Sequence, residues 1–134
     1  MNNVCFPGRL TFWINIFNTM VLHLHIIMGP PTNIFLRKSF FNHFKYKIGK
    51  FYFSLNDIFY GILRGYKNIF FMKKMNILFI GNPKSPLTRH RQFRGTDPRR
   101  KFVLPLDPRI HFALSLLNKS SPFIRIYTGI NLKI

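Results

Sequence analysis

The chain contains no glutamate and only three aspartates, Asp57, Asp97 and Asp107, among its 134 residues. Few groups are therefore present that could orient a catalytic base beside a serine or cysteine nucleophile. Cysteine is just as scarce, since Cys5 stands alone, and this excludes an internal disulfide and a zinc site built from several thiolates. His23 and His25 lie on different faces of one predicted helix and lack a third ligand, so we expect no metal and no cofactor.

The few acidic side chains stand against 21 lysines and arginines, which gives a formal net charge of +18 and an isoelectric point of about 11.1. Such a charge attracts nucleic acids and anionic membranes whatever the fold. The abundant residue types Phe, Lys, Asn and Ile are also those that A/T-rich codons encode, so drift in a biased genome produces the same surface. The length fits one domain with a core of its own.

Residues 10–28 form the first strongly apolar block and have about the length of a transmembrane helix. Asn15, Asn18, His23 and His25 would each need a polar partner inside the bilayer, which disfavours that interpretation. A signal peptide is disfavoured as well, because Gly-Pro-Pro follows the block in place of a small-residue cleavage site. We therefore predict a buried core helix in an intracellular, cytoplasmic protein.

The helical period places a group of side chains from this block on one face, and Gly29 with the two prolines after it should end the helix. The side chains predicted on that face are Ile14, Phe17, Asn18, Val21 and Leu22.

The middle of the chain predicts a basic β-hairpin followed by a helix. Residues 44–48 alternate aromatic or apolar types with lysine, and residues 48–50 (Ile-Gly-Lys) read as a turn into the aromatic residues 51–53. Such interleaving suits stacking on single-stranded bases, but it is more typical of a strand with one packed and one solvated face. Ser54 should cap the helix, with Asp57 in its first turn and Arg64 at its end.

The last third combines a long loop with the most ordered stretch of the sequence. Residues 81–105 are rich in Pro, Gly and positive charge, which is typical of a functional loop or of a plain solvated one. After the Asp107-Pro108 turn, residues 109–115 read as a mostly buried strand. We further expect Arg64 and Arg109 to pair with Asp57 and Asp107. The anion-binding candidates are Arg89, Arg91, Arg94, Arg99, Arg100 and Lys101.

Three motifs follow one another along the chain. Residues 12–18 read Phe-Trp-Ile-Asn-Ile-Phe-Asn with His23 after them, residues 54–64 read Ser-Leu-Asn-Asp-Ile-Phe-Tyr-Gly-Ile-Leu-Arg, and residues 107–114 read Asp-Pro-Arg-Ile-His-Phe-Ala-Leu ahead of a Pro-Phe-Ile-Arg-Ile-Tyr segment. Their order resembles the family called domain of unknown function 547, DUF547. The resemblance implies an α+β fold with helices packed on a small antiparallel sheet, remotely similar to papain and transglutaminase.

On this resemblance the chain divides into an N-terminal leader (residues 1–9), a single DUF547-like domain (residues 10–127) and a truncated C-terminal tail (residues 128–134). Family members often carry cysteines where this chain has Leu116 and Ser121, and an acidic residue and a histidine where it has Phe59 and Tyr60. The resemblance therefore implies that a reactive sulfur has been lost.

Residual chemistry would need four residues of these motifs to converge in one pocket: His23, His111, Ser121 and Asn15. Histidines buried and satisfied by neighbouring amides are the commoner outcome. We predict a non-catalytic scaffold or interaction module with an unknown protein partner. The alternatives are a degenerate papain-like hydrolase or acyltransferase, and a basic module whose loop makes non-specific contact with nucleic acid, another anionic polymer or an anionic lipid surface.

Overall fold

The structure is a computed structural model that describes residues 6–64, 93 and 96–129. Helices dominate, and the two strands form one antiparallel sheet, so the predicted α+β class is confirmed. In chain order the elements are α1 (Phe6–Met28), α2 (Ile34–Asn42), β1 (Lys45–Ile48), β2 (Phe51–Ser54), a π-helix (Asp57–Leu63), a 3-10 helix (Pro98–Phe102) and α3 (Ile110–Ala113).

The predicted core helix is α1, and it begins at Phe6, inside the segment that we expected to be a leader. It ends as predicted: Gly29 adopts a φ of +74°, and its amide donates to the carbonyl of His25 at 3.0 Å. Four of the five side chains predicted on the buried face are buried. The prediction for Leu22 is wrong, because this side chain is 40% exposed.

Helix α1 has the length and apolar composition of a membrane-spanning helix, and half of its most apolar window is buried within the protein. Trp13 is the centre of an aromatic cluster that contributes to this burial. Its ring meets Phe53 of β2 at 5.1 Å and Phe102 of the 3-10 helix at 5.7 Å, both edge-on. As far as Leu24, α1 is therefore a core helix, as the sequence predicted, but the predicted burial is wrong for its last three residues, Ile26 to Met28, which are exposed.

The predicted hairpin is confirmed, with Tyr46 opposite Phe53 and with Gly49, at a φ of +63°, in its turn. Helix α2, directly before it, was not foreseen. Asn33 caps that helix, since its side chain accepts a hydrogen bond from the amide of Leu36 at 2.8 Å. Phe40 is its buried residue, so α2 lies on the surface.

The helix predicted from Ser54 is present, but most of it is a π-helix. Ser54 Oγ accepts from the amide of Asp57 at 3.1 Å, and the Asp57 carboxylate accepts from the amide of Ser54 at 2.9 Å, which is a reciprocal capping box. The amide of Arg64 donates to the carbonyl of Phe59, five residues back, at 3.1 Å. All residues from Ile58 to Leu63 are buried, so this helix lies inside the core.

The strand predicted over residues 109–115 is wrong, because α3 occupies Ile110–Ala113. The Asp107-Pro108 turn leads directly into this helix: the amide of Ile110 donates to the carbonyl of Asp107 at 3.2 Å, and that of His111 to Pro108 at 3.2 Å. The β-branched and aromatic residues that suggested a strand are compatible with a single helical turn. The predicted burial is confirmed for most of the segment, although Phe112 is exposed.

Candidate functional site

Two asparagines of α1 hold the C-terminal part of the chain. Asn18, only 2% exposed, donates to the carbonyl of Ala113 at 2.9 Å and accepts from the amide of Ser115 at 2.9 Å. Asn15 makes the same pair of hydrogen bonds to Tyr127, donating to its carbonyl at 2.8 Å and accepting from its amide at 2.9 Å. The candidate Asn15 therefore has a structural task, since both ends of its carboxamide bind backbone.

His23 and Ser121 lie in separate surroundings. The exposed His23 shares a hydrogen bond with the hydroxyl of Tyr46, which ties α1 to β1. Ser121 Oγ donates to Asn118 Oδ1 at 2.6 Å and accepts from the amide of Leu116 at 3.1 Å. An amide oxygen does not take the proton that a serine nucleophile must lose, so these bonds close a loop and do not activate the hydroxyl.

The fourth candidate, His111, is 6% exposed and lies within the electrostatic influence of the buried Arg64. Burial, aided by the positive charge of Arg64, lowers the pKa of His111 to about 4. The guanidinium of Arg64 lies 4.6 Å from the ring centroid of Phe59 and 5.8 Å from that of Tyr60. Burial also raises the pKa of Tyr60 to about 12, although Arg64 opposes that shift. His111 is therefore neutral at pH 7 and too weak a base for efficient proton transfer.

The anion-binding candidates divide between two parts of the chain. Arg89, Arg91 and Arg94 lie outside the described residues, whereas Arg99, Arg100 and Lys101 lie on the 3-10 helix. Asp57 pairs with Arg99 at 3.1 Å in place of the predicted Arg64, and Asp97 pairs with Arg99 at 2.9 Å. The predicted pair between Arg109 and Asp107 is confirmed. Since two carboxylates offset the charge of Arg99, the exposed Arg100 and Lys101 are better placed to meet an external anion.

The Arg99 network predicts a measurable loss of stability in Arg99→Gln. Besides its two carboxylates, Arg99 donates to the carbonyl of Tyr52 at 2.9 Å and so joins the hairpin, the π-helix and the 3-10 helix. We expect the free energy of unfolding, measured by urea denaturation, to fall by about 1–2 kcal/mol, a value already reduced for solvent screening at this partly exposed site. Lys50→Gln, a control in the exposed turn of the hairpin, should change it by less than about 0.5 kcal/mol. Equal losses in both variants would contradict the proposed importance of the network.

A cleft of about 100 Å³ opens where the C-terminal end of α1, the linker after it, α2 and the loop after α3 meet. His25 lies on one wall, its Nδ1 donating to the carbonyl of Val21 at 2.9 Å and its ring edge-on to Phe40 at 5.0 Å. Because Nδ1 carries the proton in the neutral ring, Nε2 is the acceptor atom. The residues that line the cleft are Val21, His25, Pro30, Pro31, Arg37, Phe40, Phe41, Leu116, Leu117 and Asn118.

The chemistry of this lining suits binding better than catalysis. Among the described residues that line it there is no Ser, Thr, Cys, Asp or Glu, so these residues offer neither a hydroxyl or thiol nucleophile nor a carboxylate. Leu116, a position that the resemblance singled out, is one of its walls. Leu117 beside it has a φ of +54°, an uncommon conformation for a residue with a branched side chain. Apolar walls with Arg37 beside them can hold an apolar ligand that also presents a negative charge, and His25 Nε2 can accept a hydrogen bond from a donor on the same ligand.

Next to the cleft, two short runs of large apolar side chains project into solvent on either side of the Gly-Pro-Pro turn. We call this surface the apolar corner; its residues are Ile26, Ile27, Met28, Ile34, Phe35 and Leu36. Phe35, for example, is 80% exposed. The exposed Arg37 and Lys38 follow directly on α2. The corner was not predicted, although two runs of three consecutive apolar residues on either side of a turn are a signal that the sequence contains.

Comparisons with known proteins identify a family. A family model described as "Protein of unknown function, DUF547" matches residues 6–133, nearly the whole chain. No curated protein matches the chain, and no solved structure does. Within residues 6–64, 93 and 96–129 there is also no group of three His, Cys, Asp or Glu side chains placed to hold a metal ion.

Proposed function

The chain belongs to the DUF547 family, whose function is unknown, and we propose that this member is a non-catalytic interaction module. One observation carries the proposal. Three of the residues that a hydrolytic site would need are hydrogen-bonded to different partners: Asn15 to Tyr127, His23 to Tyr46, and Ser121 to Asn118. The fourth, His111, is buried within the electrostatic influence of Arg64.

The chemistry of acyl transfer explains why this arrangement favours binding. The reaction needs a nucleophile and a base within hydrogen-bond reach, and the base is most effective when its pKa lies near the working pH. Ser121 donates its proton to an amide oxygen, and the pKa of His111 is lowered to about 4. Meanwhile the cleft and the apolar corner leave apolar surface open beside Arg37, which is typical of an interaction site.

We include in the proposal a remote relationship to papain-like and transglutaminase-like folds. Two features support this relationship. Helix α1 packs against an antiparallel hairpin, and the loop after α3, where the resemblance places the lost sulfur, lies beside the cleft. Leu116 borders the cleft, and Ser121 holds the amide of Leu116. The loop would then keep the place of a catalytic loop after the loss of its nucleophile.

Activity-based labelling tests the absence of catalysis. We expect a fluorophosphonate probe and an acyl-donor probe to leave Ser121 unlabelled at pH 7, because its hydroxyl donates to an amide oxygen and not to a base that could take the proton. Mass spectrometry of the digested protein gives the readout, with a serine hydrolase in the same tube as the positive control. S121A and H111A should behave like the parent. Labelling of Ser121 that disappears in H111A would overturn the proposal and favour the degenerate hydrolase.

A further inference from the structure

We propose that the apolar corner docks on an anionic membrane surface, with its apolar side chains in the interfacial layer and Arg37 and Lys38 on the lipid phosphates. This inference deepens the proposed function and rests on it, because it names the partner of a non-catalytic module. It agrees with the predicted cytoplasmic location, since the cytoplasmic leaflet carries the anionic lipids.

The geometry of the exposed side chains favours a membrane over a protein partner. Successive residues of a helix point about 100° apart, so three consecutive residues span about 200° around the axis. Ile26, Ile27 and Met28 are all exposed at the end of α1, as are the three apolar residues at the start of α2. A flat protein surface would cover one side of each helix end, whereas an apolar medium surrounds it. The corner is therefore shaped to be immersed.

Charge complementarity selects an anionic surface. The first acidic residue of the chain is Asp57, so α1, α2 and the hairpin contain no negative side chain. Arg37 and Lys38 follow the apolar run of α2 directly and are both exposed. Nucleic acid would engage these cations but leave the apolar side chains in water, whereas an anionic lipid layer satisfies both groups.

The core limits how deeply the chain enters the bilayer. Trp13, Phe17 and Val21 of α1 are buried against the rest of the protein, so the part of the helix from residue 13 to residue 21 cannot enter the lipid with its buried face. Only the last turn of α1, the linker and the first turn of α2 can enter, which fits the depth of about 5–10 Å reached by interfacial helices. The chain should lie on the membrane and not span it.

Vesicle sedimentation of the full chain tests the apolar half of the proposal. We expect binding to vesicles made of equal parts phosphatidylcholine and phosphatidylserine, and much weaker binding to pure phosphatidylcholine. F35D should reduce the partition coefficient at least about tenfold, because it withdraws a phenyl ring from the interface and adds a repelled charge. F123D is the matched control, since Phe123 is 87% exposed outside the corner. Equal losses in F35D and F123D would contradict the proposed surface.

Two double variants test whether Arg37 and Lys38 contribute to membrane binding. Each variant removes two positive charges, so the two proteins have the same net charge. R37Q/K38Q should lower the affinity for anionic vesicles by about fivefold per charge removed. R100Q/K101Q removes two exposed charges from the 3-10 helix and should have the smaller effect. A larger loss in R100Q/K101Q would move the contact to the basic loop and overturn the assignment of the corner.

Fluorescence of F35W reports insertion directly. Trp13, the chain's single tryptophan, is buried and provides a constant background. We expect the emission of F35W to shift to the blue on anionic vesicles and that of F123W to stay unchanged. Absence of vesicle binding by the folded parent, or self-association that F35D abolishes without any vesicle binding, would overturn the proposal. Neither result affects the labelling experiment, so a failure of this inference is distinguishable from a failure of the proposed function.

Discussion

Asn18→Ala should lower the free energy of unfolding by about 3–5 kcal/mol, close to the limit that a single polar substitution reaches. The variant would leave the carbonyl of Ala113 and the amide of Ser115 without the partner that now binds both. Because Asn18 is buried, water cannot replace the lost bonds without opening the packing around α1. Urea denaturation followed by circular dichroism measures the effect.

Asn15→Ala is the natural comparison, because Asn15 makes the same pair of bonds to Tyr127 at a more accessible position. Water can reach that site, so we expect a smaller loss of about 1–2 kcal/mol. Thr19→Ala, on the exposed side of the same helix, should change stability by less than about 0.5 kcal/mol. If Asn18→Ala were as mild as Thr19→Ala, the bonds of Asn18 would not hold α3 to α1.

Acidification should destabilise the protein well above the pH at which carboxylates titrate. His111 has a pKa of about 4 in the folded chain and about 6.5 when unfolded. Between these values the unfolded state binds the extra proton, so stability is greatest above pH 6.5 and is lost as the pH falls towards 4. The shift corresponds to a loss of up to about 3 kcal/mol, at about 1.4 kcal/mol per pKa unit. Denaturation curves at a series of pH values measure it.

His111→Gln separates this contribution from that of the carboxylates. Hydrogen bonds from Arg99 and Arg109 lower the pKa values of Asp97 and Asp107, so the stability from these pairs is present above their unfolded pKa of 3.8 and is lost below it. Between pH 6.5 and 4 the variant should therefore have a nearly flat stability profile, whatever its absolute stability. A slope equal to that of the parent would show that His111 does not titrate as a buried group.

Elements with local signals were predictable from the sequence. Gly29 and the prolines after it end α1, alternation and a glycine turn define the hairpin, and Ser54 with Asp57 forms a capping box within four residues. Each of these features depends on contacts between near neighbours in the chain. The motifs that suggested the DUF547 family were equally readable, and the family match confirms that assignment.

Features that depend on distant contacts could not be predicted. Asn18 and Ala113 are 95 positions apart, and periodicity says nothing about which backbone a buried amide will meet. The composition of residues 110–113 favoured a strand, but the turn geometry of Asp107 and Pro108 led to a helix. The cleft combines α1, α2 and the loop at Leu116, so it becomes visible only once the chain is folded.

The bonds of Asn18 also impose an order on biosynthesis. During translation α1 leaves the ribosome long before Ala113 and Ser115 are synthesised. The side-chain amide of Asn18 and much of the apolar surface of α1 therefore have no native partner until those residues appear. In that interval α1 has the length and hydropathy of a segment that signal recognition and chaperone systems bind. Final folding of this core therefore waits until residues 113 and 115 have left the ribosome, and a nascent chain stalled before residue 113 would be a natural chaperone client.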